Sequence, residues 1–503
     1  MQNRSARLIL NSIYSLLSWL APVALGILVT PFILRRLGVE AYGVYLVILG
    51  VIGYSFTFNV GRAVAKFVAE YRASGDIHKI NSTITASFYI SLVVGVLGAF
   101  VLAFSAEWFV TELLQISPAF QRTATTALII GGFSIPLTLA GQVFQNVLQG
   151  THRFGAVSLI TSLNSLLLNA GNVVLVILGF GIDALILWTL TVITAIAALT
   201  YVTARRSEPE YRIEFASAGR MLRPVAAYGS SIFLYQLFGS ALLVFERAWV
   251  TRNFGAETAA YYLVPMGLAI YFHGFMTSLT SAAFPVLNEL LNDRDRSIEL
   301  YRKVSKLLLS LTVLFLFSVY FGAEAFLAVW IDSGFAERSY RILMIHSLTF
   351  SFIVLLLASW QLNEANGSVG SNALLTGIWA CVTIPLMLLL ANEWHAEGVA
   401  VSRTIGVAAT LPMIFYVERR FLGAVQWRFW ASVAVKIAAA AIVLSVIEYF
   451  VFSRMAPGWS ELILGWGLGS LAYIFVLYFT GLITKDEESV VLGVFGLGRA
   501  AVK

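Results

Sequence analysis

The chain alternates long apolar runs with short polar breaks, and the runs have the length needed to cross a hydrocarbon core of about 30 Å, which takes roughly 20 helical residues. They predict spans at 9–33, 42–65, 84–105, 124–148, 155–179 and 183–204. After the charged stretch from Arg205 to Arg223 come spans at 228–251, 258–286, 306–329, 342–362, 372–392 and 397–417. Two more, at 430–452 and 461–483, bring the total to fourteen, an even number that puts both termini on one side. The expected fold is an all-α integral membrane protein with two six-helix lobes around a central cleft and two further C-terminal helices. Its expected divisions are an N-terminal lobe at 1–204, an inter-lobe linker at 205–227, a C-terminal lobe at 228–418, and the last two helices with a tail at 419–503. The first run, Leu8 to Leu28, follows Arg4 and Arg7 as in a signal peptide. It is longer than the usual apolar region of such peptides and leads straight into more spans, so it is read as retained.

The two halves echo each other. Leu37-Gly38-Val39-Glu40 followed by Tyr45 lines up with Phe254-Gly255-Ala256-Glu257 followed by Tyr262 at an offset of 217, which also sets Arg35 over Arg252. Phe154-Gly155 lines up with Val369-Gly370 at an offset of 215. Because six helices is an even number, the halves share orientation and the repeat is parallel, with its axis along the membrane normal.

Charge placement sets the expected orientation, because short basic loops stay in the cytoplasm. With the N-terminus inside, 23 of the 33 Lys and Arg residues fall on cytoplasmic segments, 7 on outer segments and 3 within spans. Both termini are therefore expected in the cytoplasm.

Composition agrees with the pattern. Hydrophobic residues make up 59% of the chain and charged residues 12%, against about 25% charged in soluble proteins. The net charge of +6 then reflects topology, and nucleic-acid binding lacks the exposed basic domain it requires. The single cysteine, Cys381, excludes an internal disulfide and a cysteine-based zinc site, and its apolar setting reads as packing. No phosphate-binding Gly-x-x-x-x-Gly-Lys-Ser/Thr loop occurs, so ATP hydrolysis by this chain is not expected. The five histidines never pair at metal-ligand spacing, and the loops are too short for a catalytic domain. No cofactor or metal is expected; a coupling cation, H+ or Na+, stays open.

The stretch Thr30-Pro-Phe-Ile-Leu-Arg-Arg-Leu-Gly-Val-Glu-Ala-Tyr-Gly-Val-Tyr45 resembles the opening signature of polysaccharide-exporting flippases. Gly61-Arg62-Ala63 running to Phe67-Val68-Ala69-Glu70, and Leu148-Gln149-Gly150 before Arg153-Phe154, resemble their later landmarks. These belong to the oligosaccharide flippase branch of the multidrug, oligosaccharidyl-lipid and polysaccharide (MOP) exporter superfamily. The resemblance implies lobes that alternate between inward-open and outward-open shapes, with a cationic cleft receiving the pyrophosphate of a polyprenyl-linked oligosaccharide. It also implies a bacterial-type inner membrane and nearby glycan polymerase or assembly proteins. Two rival readings are a cation-coupled drug exporter of the same superfamily, which favours acidic cavity residues, and a membrane glycosyltransferase or ligase, which needs a large outer loop.

A charge inside the membrane costs at least about 2.5–3.5 kcal/mol, so one that persists faces a cavity or a partner. Arg62, Arg247 and Arg403 meet this description. Asn59, Arg62, Lys66 and Glu70 share one helical face, and Glu70 can neutralise Lys66, leaving Arg62 the better anion site. Arginine suits phosphate because its planar fork donates bidentately. Staged from Arg62 near the cytoplasmic end to Arg247 and Arg403 near the outer ends, the three form an expected relay; Glu246 or Glu324 pairing with an arginine is the structural alternative. Gln142, Gln145, Asn146 and Gln149 form a polar stripe on the fourth span, suited to sugar hydroxyls or to interhelical packing. Ser158, Ser162, Ser165, Asn169 and Asn172 form another on the fifth, read as packing. His273 is a polar cleft candidate able to titrate. Asp183 and Glu448 are read as snorkelling at span ends.

Overall fold

The computed structural model describes the backbone of residues 2–55, 61–214, 219–280, 287, 290, 293–455 and 458–483, and their side chains except at 2–18, 55, 62, 228, 230–235 and 369. Among the described residues every regular element is a helix. They are α1 (Gln2–Leu37), α2 (Val39–Ser55), α3 (Gly61–Ser74), α4 (Ile77–Trp108, continued by a π-turn to Leu113), α5 (Pro118–Gly132), α6 (Ser134–Gly150), α7 (Phe154–Ile177) and α8 (Ile182–Ser207). Then come α9 (Gly219–Thr280), α10 (Arg294–Trp330), α11 (Ser333–Ala365), α12 (Val369–Ala408), α13 (Met413–Val417, followed by a π-turn Glu418–Leu422), α14 (Trp427–Arg454) and α15 (Trp459–Phe479).

Eleven helical stretches are long and apolar enough to cross a membrane, and Val39–Tyr54 is a shorter apolar helix. Two of the long ones double back. In α9 the break is Gly255 (φ 84°, ψ 165°), and Tyr262 on one side of it hydrogen-bonds Glu246 on the other, 16 residues apart. A straight helix would hold those residues about 24 Å apart. In α12 the break is His395 (φ 51°, ψ −133°), and a Cβ on Gly398 would lie 2.2 Å from the Leu390 carbonyl oxygen. Counting α9 and α12 as two passes each, and α2 as one, gives the fourteen expected, and the chain is a multi-pass membrane protein. Large apolar side chains such as Phe104 (87% exposed) and Leu28 (73%) face outward, as lipid-facing residues do. Cys381, expected to be packed, is exposed, because α12 turns that face outward.

The repeat is visible in backbone geometry. Gly38 and Gly255, 217 residues apart, adopt φ of 85° and 84° with nothing near a would-be Cβ. Both glycines are there for conformation, not space. At the second junction Arg153 (φ −86°, ψ 47°) precedes α7 and Ser368 (φ −87°, ψ 44°) precedes α12, each after a positive-φ residue, His152 or Gly367. The fourth span, whose Pro136 is one of the in-span prolines expected to permit a bend, consists of α5 and α6, which meet at Phe133. Pro136 has no N–H to return to the Gly132 carbonyl, and the Ser134 hydroxyl donates to the neighbouring Gly131 carbonyl.

The chain forms two compact units, Met1–Ala282 with Gly367–Thr410, and Ala283–Asn366 with Leu411–Lys503. In the first, α2 packs on α9, α1 on α7, α6 between α4 and α8, and α12 on α9. The stretch after α8 is tied to this unit by side chains of α4. Asn81 Nδ2 donates to the Glu210 carbonyl and the Glu214 carboxylate, its Oδ1 accepts from the Arg212 amide, and Thr85 Oγ1 accepts from the Glu214 amide. The Asn81 amide, then the Arg212 guanidinium, hold the Glu214 carboxyl below its ordinary value. Its contribution is therefore present above the ordinary glutamate value and lost as pH falls through the lowered one. Hydrogen exchange is expected to show residues 208–214 opening only in that acid range, with Glu214→Gln removing the pH dependence; identical exchange in wild type and variant would refute the tie.

In the second unit α10 packs on α11 and α14 on α15. Tyr473 donates to the Ser310 carbonyl, Trp466 Nε1 to that of Ser318, and Lys306 to that of Leu482. Glu448, expected to snorkel, is fully buried there and accepts from Ser318 Oγ at 3.0 Å. Gly469 on α15 makes room for it, since a Cβ there would lie 3.1 Å from Glu448 Oε1.

Candidate functional site

Two of the three intramembrane arginines come together in the first unit. The arm of α9 before Gly255 carries Glu246 and Arg247, the arm after it carries Tyr262, and α12 brings Arg403. Arg403 Nη1 donates to Glu246 Oε2 at 2.7 Å, and both side chains are almost wholly buried, 2% and 1% exposed. Tyr262 donates to the other carboxylate oxygen. The Arg403 guanidinium also stacks over the Trp379 ring, 5.4 Å from its centroid. Arg247 turns the other way, donating to the Leu46 carbonyl at 3.2 Å and lying 4.9 Å over the Tyr54 ring. Gly50 admits it: a Cβ there would meet Arg247 Nη1 at 2.3 Å. Two guanidiniums against one carboxylate leave the cluster with one net positive charge.

The sequence-predicted residues fare differently. Arg247 and Arg403 share this cluster, with Glu246 as the structural partner of Arg403; Glu324 is exposed in the other unit. Asn59 and the Arg62 side chain lie outside the described residues. Lys66 is exposed on α3, 5.3 Å over the Phe67 ring, and Phe67 stacks on Tyr71. Asn146 donates to the Gln142 carbonyl of its own helix. His273 is partly buried on α9, its carbonyl accepting from Thr277.

Gln142 and Gln145 line cavities. One of about 340 Å³ lies among α2, α5, α6 and α8, with Gln236 of α9 in its wall. A second, about 270 Å³, lies among α6, α7 and α8 and shares Thr138, Gln142 and Ile193 with the first. A third, about 360 Å³, lies among α1, α2 and α7 with Tyr271 of α9, and shares Thr161 and Asn164 with the second. Among the described residues all three are walled by hydroxyls, amides and apolar groups, with no Asp, Glu, Lys, Arg or His. The tyrosines of the third cavity were missed by sequence reasoning, although Tyr42 and Tyr45 stand in the opening motif. Among the described residues no group of three His, Cys, Asp or Glu is placed to hold a metal ion.

Comparison with known proteins fits this architecture. Residues 35–339 match the family described as polysaccharide biosynthesis protein. A "Putative O-antigen transporter" of Shigella flexneri is 23% identical over 414 residues, covering 80% of this chain and 95% of that protein. The "Uncharacterized membrane protein EpsK" of Bacillus subtilis (strain 168) is 21% identical over 515 residues, covering 98% and 99%. Among solved structures the fold resembles the lipid II flippase MurJ in an inward closed conformation, with a TM-score of 0.70, 14% identity and coverage of 95% of this chain and 99% of that one. It also resembles an inward-facing multidrug resistance MATE family transporter of the MOP superfamily, with a TM-score of 0.67, 15% identity and coverage of 82% and 94%. Matched over residues 35–339, more than half its length, this multi-pass membrane protein belongs to the family described as polysaccharide biosynthesis protein, and its fold is the one seen in the MurJ and MATE structures.

Proposed function

We propose that this protein flips a lipid-linked glycan, a polyprenyl-pyrophosphate-linked oligosaccharide repeat unit, from the cytoplasmic to the outer leaflet of a bacterial-type inner membrane. The observation that carries the proposal is charge. A buried cluster with a net positive charge sits in the same unit as cavities that the described residues line without a single carboxylate. A site for a cationic drug would place acids there; a phosphate-bearing substrate needs guanidiniums, and its sugars need neutral donors and acceptors. The likeness to a protein described as an O-antigen transporter and to the fold of a lipid II flippase points the same way.

In this reading two six-helix lobes, 1–204 and 228–418, joined by the linker 205–227, alternate access around a cleft while the lipid tail stays in the bilayer; the last two helices, within 419–503, follow them in the chain. Both termini lie in the cytoplasm. Arg62 and Lys66 receive the pyrophosphate first, and Arg247 and Arg403 meet it further out. Since Arg403 already holds Glu246, delivery exchanges a carboxylate for a phosphate oxygen on the same guanidinium. A coupling cation, H+ or Na+, stays open, and glycan polymerase or assembly proteins are the protein's partners.

Cells lacking the protein are expected to lose surface polymer and to accumulate the completed lipid-linked unit in the cytoplasmic leaflet. Complementation with Arg62→Ala, expressed at wild-type level, should fail to restore export. Unchanged polymer with no accumulated intermediate, in a strain without a redundant transporter, would overturn the proposal.

A further inference from the structure

The cavity among α1, α2 and α7 is more than a gap between helices. Three tyrosines, Tyr42, Tyr45 and Tyr271, and three asparagines, Asn164, Asn169 and Asn172, line it, and among the described residues no charged one does. At about 360 Å³ it holds roughly a dozen waters at ~30 Å³ each, room for one or two pyranose rings.

Asn172 is the telling residue. It is 7% exposed, its Nδ2 donates to the Tyr45 hydroxyl at 3.2 Å, and its Oδ1, also buried, has no hydrogen-bond partner. A buried amide oxygen left unbonded costs free energy, which a ligand donor would recover. Asn169 spends its Nδ2 on the Ser165 carbonyl of its own helix, so its oxygen is the group it can turn to a ligand. Tyr42 and Tyr45 are 6% exposed with ring centroids 6.0 Å apart. Opposite them, Tyr271 reaches in over Gly26, where a Cβ would lie 2.4 Å from the phenolic oxygen. Phenol rings offer an apolar face with a polar tip, and amides offer donors and acceptors.

We propose that this cavity is a saccharide subsite that takes an uncharged sugar of the transported glycan, with Asn172, Asn169 and Tyr271 setting its specificity. The chemistry selects the class. An ionised group, whether uronate, phosphate or ammonium, would find no counter-charge among the described lining residues and would pay its desolvation unopposed. A purely apolar ligand would leave the Asn172 oxygen unbonded. A neutral polyol satisfies both constraints, its hydroxyls bonding the amides and its C–H face lying on a phenol ring. Arg247 lies just behind the wall, because Leu46 both lines the cavity and accepts from Arg247 through its carbonyl. The cation and the sugar subsite are therefore neighbours on α2. The inference rests on the flippase reading and adds to it where the first sugars bind and that they are uncharged.

The test measures binding to the purified full-length protein in nanodiscs with two probes, sugar-free polyprenyl pyrophosphate and the glycan-bearing lipid recovered from cells lacking the transporter. Wild type is expected to bind the glycan-bearing lipid about tenfold more tightly or better, from a few added hydrogen bonds. Asn172→Leu with Asn169→Leu should remove that difference and leave sugar-free binding unchanged, which also shows that the variant is folded. Tyr271→Phe, a gentler change, should reduce the difference in part. Equal binding of both lipids by wild type, or a difference that survives the double substitution, would overturn the subsite while leaving the flippase reading in place. Binding of neither lipid would overturn both.

Discussion

Glu246→Gln is expected to destabilise the first unit by about 3–5 kcal/mol, the cost of breaking a buried ion pair by removing one partner. Glu246 is fully buried and is the carboxylate that Arg403 Nη1 meets at 2.7 Å. Glutamine keeps the volume but removes the charge that offsets two buried guanidiniums, and it changes the acceptor that Tyr262 uses. The readout is thermal unfolding in detergent, followed by the recovery of monodisperse protein on size exclusion; a variant as stable as wild type would refute the assignment. Glu246→Leu with Arg403→Met should recover most of the loss, because an apolar pair of similar volume often replaces a buried ion pair without cost. That double variant also separates structure from transport. If it folds but fails to export glycan, the Arg403 charge is needed by the substrate; if it exports normally, the pair is scaffolding alone.

Fold and site were legible in the sequence to different depths. The fourteen passes could be read because each apolar run obeys one constraint, the thickness of hydrocarbon. Even the turns within α9 and α12 fell at polar breaks that the sequence displays, Gly255 with Glu257 and His395 with Glu397. The kink that parts α5 from α6 lies beside Pro136, a proline the sequence marks as able to bend a span, but the break at Phe133 was not legible, since Gly131, Gly132 and Pro136 are all compatible with one membrane helix. Arg247 and Arg403 stood out as intramembrane charges and Glu246 as a candidate partner, but not which arginine it meets. Glu246 is next to Arg247 in sequence, but successive residues on a helix point about 100° apart, so the carboxylate meets Arg403 of α12 instead. Glu448 was misjudged for a related reason. Counting residues to the end of a span gives depth but not direction, and α14 turns this carboxylate toward Ser318 and α15. The stripe Ser165, Asn169 and Asn172 was correctly assigned to one face; that the face meets tyrosines and a cavity depends on how α1 and α2 pack.

The opening motif Tyr42-Gly43-Val44-Tyr45 carries the second large effect. A Cβ on Gly43 would sit 1.9 Å from the Ala256 carbonyl oxygen, 2.8 Å from its carbon and 3.2 Å from the Ala260 nitrogen. All three atoms are backbone, and Ala256 follows the Gly255 turn directly, so no flexible side chain can yield. Gly43→Ala must therefore part α2 from α9 and unpack Val44, Val47 and Ile48, each fully buried. Overpacking of this kind costs about 1–3 kcal/mol and occasionally more, and backbone on both sides places this site at the upper end. The expected result is a sharp fall in folded protein at 37 °C and loss of export, followed by tagged-protein yield and by surface polymer. Gly53→Ala on the same helix is the control: nothing lies within 4 Å of its Cβ, and alanine favours helix over glycine by up to ~1 kcal/mol. It should leave yield unchanged or raised. Equal behaviour of the two variants would mean that glycine content alone, and not the close contact of α2 with the α9 turn, accounts for this stretch of the motif.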